Sequence, residues 1–161
     1  MYQILLVEDN ADDVELTLRA FRKSDLVNNV TVVRDGVEAL DYLLASGEHA
    51  ARNPDDLPDL VLLDIKLPRV DGLQVLERLR AHPRLRLIPV VILTSSAEPK
   101  DLLTCYTLGA NSYVRKPIDF QQFSRALHQI GSYWLQTNQA PPAPGAVGDL
   151  TASRAASTES H

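Results

Sequence analysis

The sequence predicts an α/β protein, a doubly wound sandwich around a five-stranded parallel sheet. Short apolar runs alternate along the chain with stretches whose apolar residues recur every three or four positions. The runs are bounded by turn residues, as buried strands are. Strands that alternate with helices require parallel pairing through right-handed crossovers.

The elements follow in order. Ile4-Leu5-Leu6-Val7 is the first strand and ends in Glu8-Asp9. Residues 11–23 place Val14, Leu18 and Phe21 on one helix face, with Asn10 as N-cap and Asp12 and Asp13 suited to the first turn. Val30–Val33 is a short β-branched strand. Asp35-Gly36 signals a turn, and Val37, Leu40, Leu43 and Leu44 space as a second helix. Residues 46–59 form a polar connection with two prolines. Leu60-Val61-Leu62-Leu63 is the third strand and delivers Asp64. Leu73, Leu76 and Leu79 mark a helix from Gly72 to Arg80, ended by His82-Pro83. Val90–Leu93 is the fourth strand, closing on Thr94-Ser95. A helix over Pro99–Leu108 starts at proline and stops at Gly109. Ser112-Tyr113-Val114 is the fifth strand and leads into Arg115-Lys116-Pro117. In the last helix Phe120, Phe123, Leu127, Ile130 and Trp134 recur at spacings of 3, 4, 3 and 4. That stripe reads first as a core face. The apolar exit Tyr133-Trp134-Leu135 also suits a seam with a second protein. From Gln139 onward Ala, Pro, Ser and Thr dominate without apolar periodicity. Residues 1–138 are therefore expected to fold as one domain, with 139–161 as a flexible tail. The whole is a flavodoxin-like (βα)5 arrangement.

Bulk properties narrow the function classes. With 16 Lys plus Arg against 21 Asp plus Glu, the net charge of −5 argues against nucleic acid as direct partner. Cys105 is the single cysteine, so no intrachain disulfide forms, and a reducing compartment fits. The N-terminal apolar run is too short for a signal peptide, and no stretch approaches a membrane span. A cytoplasmic location away from membranes is the expectation.

The strand ends carry the chemistry. Parallel neighbours bring Glu8, Asp9, Asp64, Thr94 and Lys116 to one rim, where α/β sheets place their sites. Clustered carboxylates repel unless a cation enters. A hard divalent ion such as Mg²⁺ suits oxygen ligands and takes one or two carboxylates plus a phosphate. Alone, Glu8-Asp9 reads equally as a solvated loop pair. Asp64 and Lys116 in register favour a site. Asp64 is the candidate nucleophile, since a carboxylate can attack a phosphoryl group to give an acyl phosphate. Lys116 supplies a point charge for phosphoryl oxygens, with Lys116–Pro117 as a candidate cis peptide that aims it inward. Thr94 offers a hydroxyl, and the small Ser95 leaves an approach open.

These residues together resemble the receiver domain of two-component response regulators over residues 2–137. Glu8-Asp9, the LVLLDIKLPRVDG stretch around Asp64, ILTSS with Thr94, and Tyr113-Val114-Arg115-Lys116-Pro117 stand in that family's order. The resemblance implies that Asp64 accepts phosphate from a histidine kinase. It implies Mg²⁺ on Asp9, Asp64 and the backbone carbonyl of Lys66, with Glu8 assisting. It also implies a switch pair, Thr94 and Tyr113, that alters the face of the fourth helix, fifth strand and fifth helix. Such a protein is a phospho-acceptor, not a turnover enzyme, and no organic cofactor is implied. VEDNADDVELTLRAF, RDGVEALDYL and the Tyr133-Trp134-Leu135 ending resemble the small stand-alone regulators paired with bacterial and cyanobacterial phytochromes. That likeness implies a phytochrome kinase as partner and a homodimer through the fourth- and fifth-helix side. Lys66 and Ser96 lie where side chains would flank the phosphoryl group.

Rival readings fit less well. A haloacid-dehalogenase-type phosphohydrolase needs a second acid where Lys66 stands. A flavin site needs a phosphate-cradling loop where Glu8, Asp9 and Asp12 would repel phosphate. A phosphorylation-independent adaptor on the same fold leaves the intact acidic pocket without a use.

Overall fold

The computed structural model describes residues 1–142. Strands β1 (Tyr2–Val7), β2 (Asn28–Val33), β3 (Leu60–Leu63), β4 (Val90–Thr94) and β5 (Ser112–Arg115) alternate with helices. These are α1 (Ala11–Arg22), α2 (Gly36–Leu44), α3 (Gly72–Ala81), α4 (Pro99–Thr107) and α5 (Phe120–Gly131). A 3₁₀ turn at Gly47–His49 interrupts the polar connection. The sheet is parallel throughout, in the order β2-β1-β3-β4-β5. That is the flavodoxin-like doubly wound fold expected from the alternation.

Side-chain alternation sorts the core into two layers. Leu5, Val7, Val61, Leu63, Val90 and Ile92 face α2, α3 and α4. Ile4, Leu6, Leu60, Leu62, Val91 and Leu93 face α1 and α5. β3 and β4 are buried along their whole lengths. Strands covered on both faces read as continuous apolar runs, which is why they stood out in the sequence. The edge strand β2 starts two residues earlier than its β-branched stretch, because Asn28 and Asn29 pair with Tyr2 and Gln3.

Helix limits follow local chemistry. Asn10 accepts from the Asp13 amide and caps α1. Asp71 and Gln74 exchange side-chain and backbone bonds in a capping box at α3. Gly109, at φ +101°, turns the chain after α4 in a conformation that favours glycine.

Two expectations are corrected. The Lys116–Pro117 bond is trans, like every peptide bond among the described residues. The last stripe also changes register. Phe123, Leu127 and Ile130 are buried as expected, but residues Ser132–Thr137 wind with a wider π-type turn. The next buried side chain is then Leu135, five positions after Ile130. Trp134 is half-buried against the same layer, and Tyr133 is exposed with its ring edge-on to Trp134. Most of the expected tail, residues 143–161, lies outside the described residues.

Candidate functional site

The strand order reverses between β1 and β3, and the cleft at their carboxyl ends is the topological switch point. Val7 and Leu63 are direct partners in the register. Glu8 and Asp64, the next residues, therefore emerge side by side. Their backbones are fixed by the ladder: the Asp64 amide donates to the Val7 carbonyl and the Glu8 amide to the Val33 carbonyl. β4 and β5 add the other members. Thr94 is the register partner of Arg115, and the Lys116 amide donates to the Thr94 carbonyl at 2.7 Å.

Glu8 and Asp64 are buried, whereas Asp9 is exposed. Oxygens of all three carboxylates lie within 4.8 Å of one another. The Lys116 ammonium donates to Glu8 at 2.8 Å and to Asp64 at 2.9 Å. It also donates to Asp13 at 2.9 Å. The carboxylate oxygen of Asp64 not held by Lys116 accepts from the Lys66 backbone amide at 3.1 Å.

The energetics of the cluster follow from burial. Desolvation pushes the Glu8 carboxyl up to about 7, and the Asp64 charge adds to it against the opposing pull of Lys116. Burial alone would lower the Lys116 ammonium. Its bonds to Glu8 and Asp64 outweigh that and hold it above its ordinary value. Charge balance among four acids and one lysine is thus incomplete. Three hard oxygen donors at this spacing fit a small divalent cation, which would complete it.

Thr94 is fully buried, and its hydroxyl accepts a long bond of 3.4 Å from the Ser96 amide. Tyr113 is half-buried, and its hydroxyl donates to the Ser96 carbonyl at 3.0 Å. Burial raises the Tyr113 phenol above its ordinary value. The Ser96 side chain, expected to flank the phosphoryl position, instead donates to Asp101 on α4 at 2.6 Å. Lys66 presents its amide to Asp64 while the residue itself is exposed. At the other side Gly72 starts α3 against the Asp64 carbonyl, where a Cβ would come within 2.1 Å of that oxygen. Only glycine admits that approach.

The expected set of Glu8, Asp9, Asp64, Thr94 and Lys116 is therefore brought to one rim. Asp13 joins them unexpectedly. Its sequence position explained it as a helix first-turn acid, and nothing local to residue 13 signals a lysine 103 positions away.

Known proteins resemble this chain in sequence and fold. The Response regulator receiver domain family matches residues 4–128. The probable methanogenesis regulatory protein FilR2 of Methanothrix harundinacea is 44% identical over 138 residues, 86% of each chain. The phosphorylated cyanobacterial phytochrome response regulator RcpA superposes with a TM-score of 0.82 at 38% identity, covering 88% of this chain and 99% of its own. The response regulator Rcp1, which Synechocystis carries, has been solved in a Mn²⁺-bound form. That structure superposes with a TM-score of 0.82 at 34% identity, covering 88% of this chain and all of its own. Among the described residues no helix is long and apolar enough to cross a membrane. By its match over residues 4–128 and by these relatives, this chain belongs to the response regulator receiver domain family.

Proposed function

We propose that the chain is a response regulator that accepts a phosphoryl group on Asp64 from the phosphohistidine of a histidine kinase. One observation carries the reading: Lys116 binds Asp64, one of three carboxylates gathered within 4.8 Å. A carboxylate oxygen of Asp64 attacks phosphorus, the O–P bond forms as the N–P bond breaks, and the imidazole leaves. Such transfer depends on positioning and charge neutralisation more than on acid–base help. Lys116 takes a phosphoryl oxygen, and the Thr94 hydroxyl donates to another. Asp9, Asp64 and the Lys66 carbonyl would hold Mg²⁺, with Glu8 assisting. The cation supplies charge neutralisation at the phosphoryl oxygens. The Mn²⁺-bound form of the relative Rcp1 supports divalent-ion binding in this family.

Thr94 moving toward the phosphoryl group disturbs the Ser96 segment, to which Tyr113 and Asp101 are bonded. The message then passes to α4, β5 and α5. That side exposes Leu103, Tyr106, Ile118 and Phe120, apolar groups suited to a partner or a second copy of the chain. The receiver unit spans residues 1–138, with 139–161 appended. The phytochrome response regulator RcpA favours a phytochrome kinase as donor.

Incubation with a small acyl phosphate and Mg²⁺ tests the reading. Wild type gains one phosphate by mass, and Asp64→Asn gains none. Full labelling of Asp64→Asn sinks the assignment, and an unlabelled wild type favours a phosphorylation-independent adaptor. Sedimentation of the labelled sample reports the association.

A further inference from the structure

We propose that Asp13 is a positioning residue that keeps the Lys116 ammonium beside Asp64 while Glu8 and Asp64 face a divalent cation. The inference rests on the phosphoryl-acceptor reading and adds a residue to it.

The Lys116 ammonium has three N–H donors, and each finds a different carboxylate: Glu8 at 2.8 Å, Asp13 at 2.9 Å and Asp64 at 2.9 Å. The acids that could share a cation are Glu8, Asp9 and Asp64. Glu8 and Asp64 belong to both sets. A carboxylate turned to a cation has less charge to offer an ammonium. Asp13 belongs to the lysine's set alone, so it is the acceptor that remains. The Lys116 side chain is only 8% exposed, and a charge at that burial needs an ionised partner.

The mount of Asp13 is rigid. Its amide is held by the Asn10 side chain at 3.0 Å, and its carbonyl accepts the hydroxyl of buried Thr17 at 2.7 Å. Asp13 sits in the first turn of α1, a place where acidic side chains suit the positive helix end. Asp12, its neighbour in the same turn, is exposed, and no bond from it reaches Lys116 among those formed by the ammonium. The two acids therefore separate a helix-end charge from a lysine anchor.

The test follows the side-chain ammonium of Lys116 by ¹⁵N-lysine NMR, with Mg²⁺ alone as probe, and in parallel the labelling rate with a small acyl phosphate. In wild type the hydrogen-bonded ammonium signal persists at saturating Mg²⁺. In Asp13→Asn that signal is lost to water exchange and labelling slows by about 10-fold, the size of one charged hydrogen bond. Mg²⁺ affinity shifts by less than about 3-fold, since Asp13 contributes only a nearby charge. Asp13→Glu recovers part of both signals, and Asp12→Asn matches wild type. An unchanged ammonium signal and rate in Asp13→Asn overturns the proposal. So does an equal loss in Asp12→Asn, which assigns the effect to helix-end charge. So does a Mg²⁺ affinity that falls as far as the rate, which makes Asp13 a cation ligand. If wild type takes no phosphate, the acceptor reading fails while the ammonium signal still decides on Asp13.

Discussion

α3 and α4 pack on the same face of the sheet and differ by one residue in length, yet they are held in different ways. α3 buries Gly72, Val75, Leu76 and Leu79, whereas α4 buries Cys105 alone. α3 starts in a capping box, and α4 has no side-chain cap. At its far end α3 is tied down by Arg80, whose guanidinium donates to the carbonyls of Arg86, Ile88 and Gly109 and to the Asn111 side chain. α4 leaves Leu103 and Tyr106 half or more exposed. Its start is attached through polar bonds, from Ser96 to Asp101 and from Tyr113 to the Ser96 carbonyl. An open cleft of about 400 Å³ separates the loop before α3 from α4, lined by Lys66, Leu67, Asp71 and Asp101 among others. Burial fixes a helix in one place. Polar tethers can be exchanged at small cost, and elements that move are drawn from such weakly buried segments. On the proposed function α3 is the frame and α4 the reporter.

The comparison breaks most readily at matched leucines. Leu79 is fully buried, so Leu79→Ala should cost about 2–5 kcal/mol from lost transfer and cavity formation. Leu103 is 70% exposed, and Leu103→Ala should stay within about 0.5 kcal/mol. Urea unfolding with an unchanged slope measures both. Equal losses would mean that α4 is anchored as firmly as α3.

A second prediction asks whether the rim or α4 carries the pH dependence. Glu8 ionises near 4.5 in the unfolded chain and at about 7 in the folded one. Between those values the folded state holds a proton that the unfolded state has released. Stability of the metal-free protein therefore falls as pH rises through that window and levels off above it. The fall is on the order of 3 kcal/mol. Saturating Mg²⁺ favours the ionised carboxylate and flattens the slope. Glu8→Gln removes it, and Asp101→Asn on α4 leaves it in place. A thermal-melt series across the window checks this. A slope that follows Asp101 instead would move the strain to the reporter side.

Much of this frame was legible because buried parallel strands print themselves as apolar runs. Leu60–Leu63 and Val90–Leu93 needed no further context, and the acid, hydroxyl and lysine at the run ends followed from parallel register. What stayed hidden depends on contacts without local pattern. Asp13 is fully accounted for as a helix first-turn acid until Lys116 is seen beside it. Trp134 continues a perfect stripe, and only the wider turn at Ser132–Thr137 hands its place to Leu135. Ser96 lies two residues after Thr94, where a flanking role is natural, but Asp101 captures its hydroxyl. Arg80 reads as a last-turn basic residue, and its carbonyl partners come from two separate loops.

The smallest effect lies at the helix starts. Asp71 accepts from the Gln74 amide at 2.9 Å, and Gln74 accepts from the Asp71 amide at 3.1 Å, so two otherwise orphaned donors are satisfied. Asp71→Ala removes the first bond and frees the second, a loss of about 1 kcal/mol. Glu98 stands at the same position of α4 but makes no cap bond, and Pro99 has no amide to satisfy. Glu98→Ala should therefore be close to neutral. Native-state hydrogen exchange gives the sharper measurement, because it reports each first turn separately. In Asp71→Ala the opening energy of the α3 amides falls toward that of α4. The start of α3 is pressed against the Asp64 carbonyl through Gly72, so this loosening also reaches the frame of the site. Labelling of Asp64 should then slow slightly in Asp71→Ala and not in Glu98→Ala. The opposite pattern would make α4, not α3, the support on which Asp64 depends.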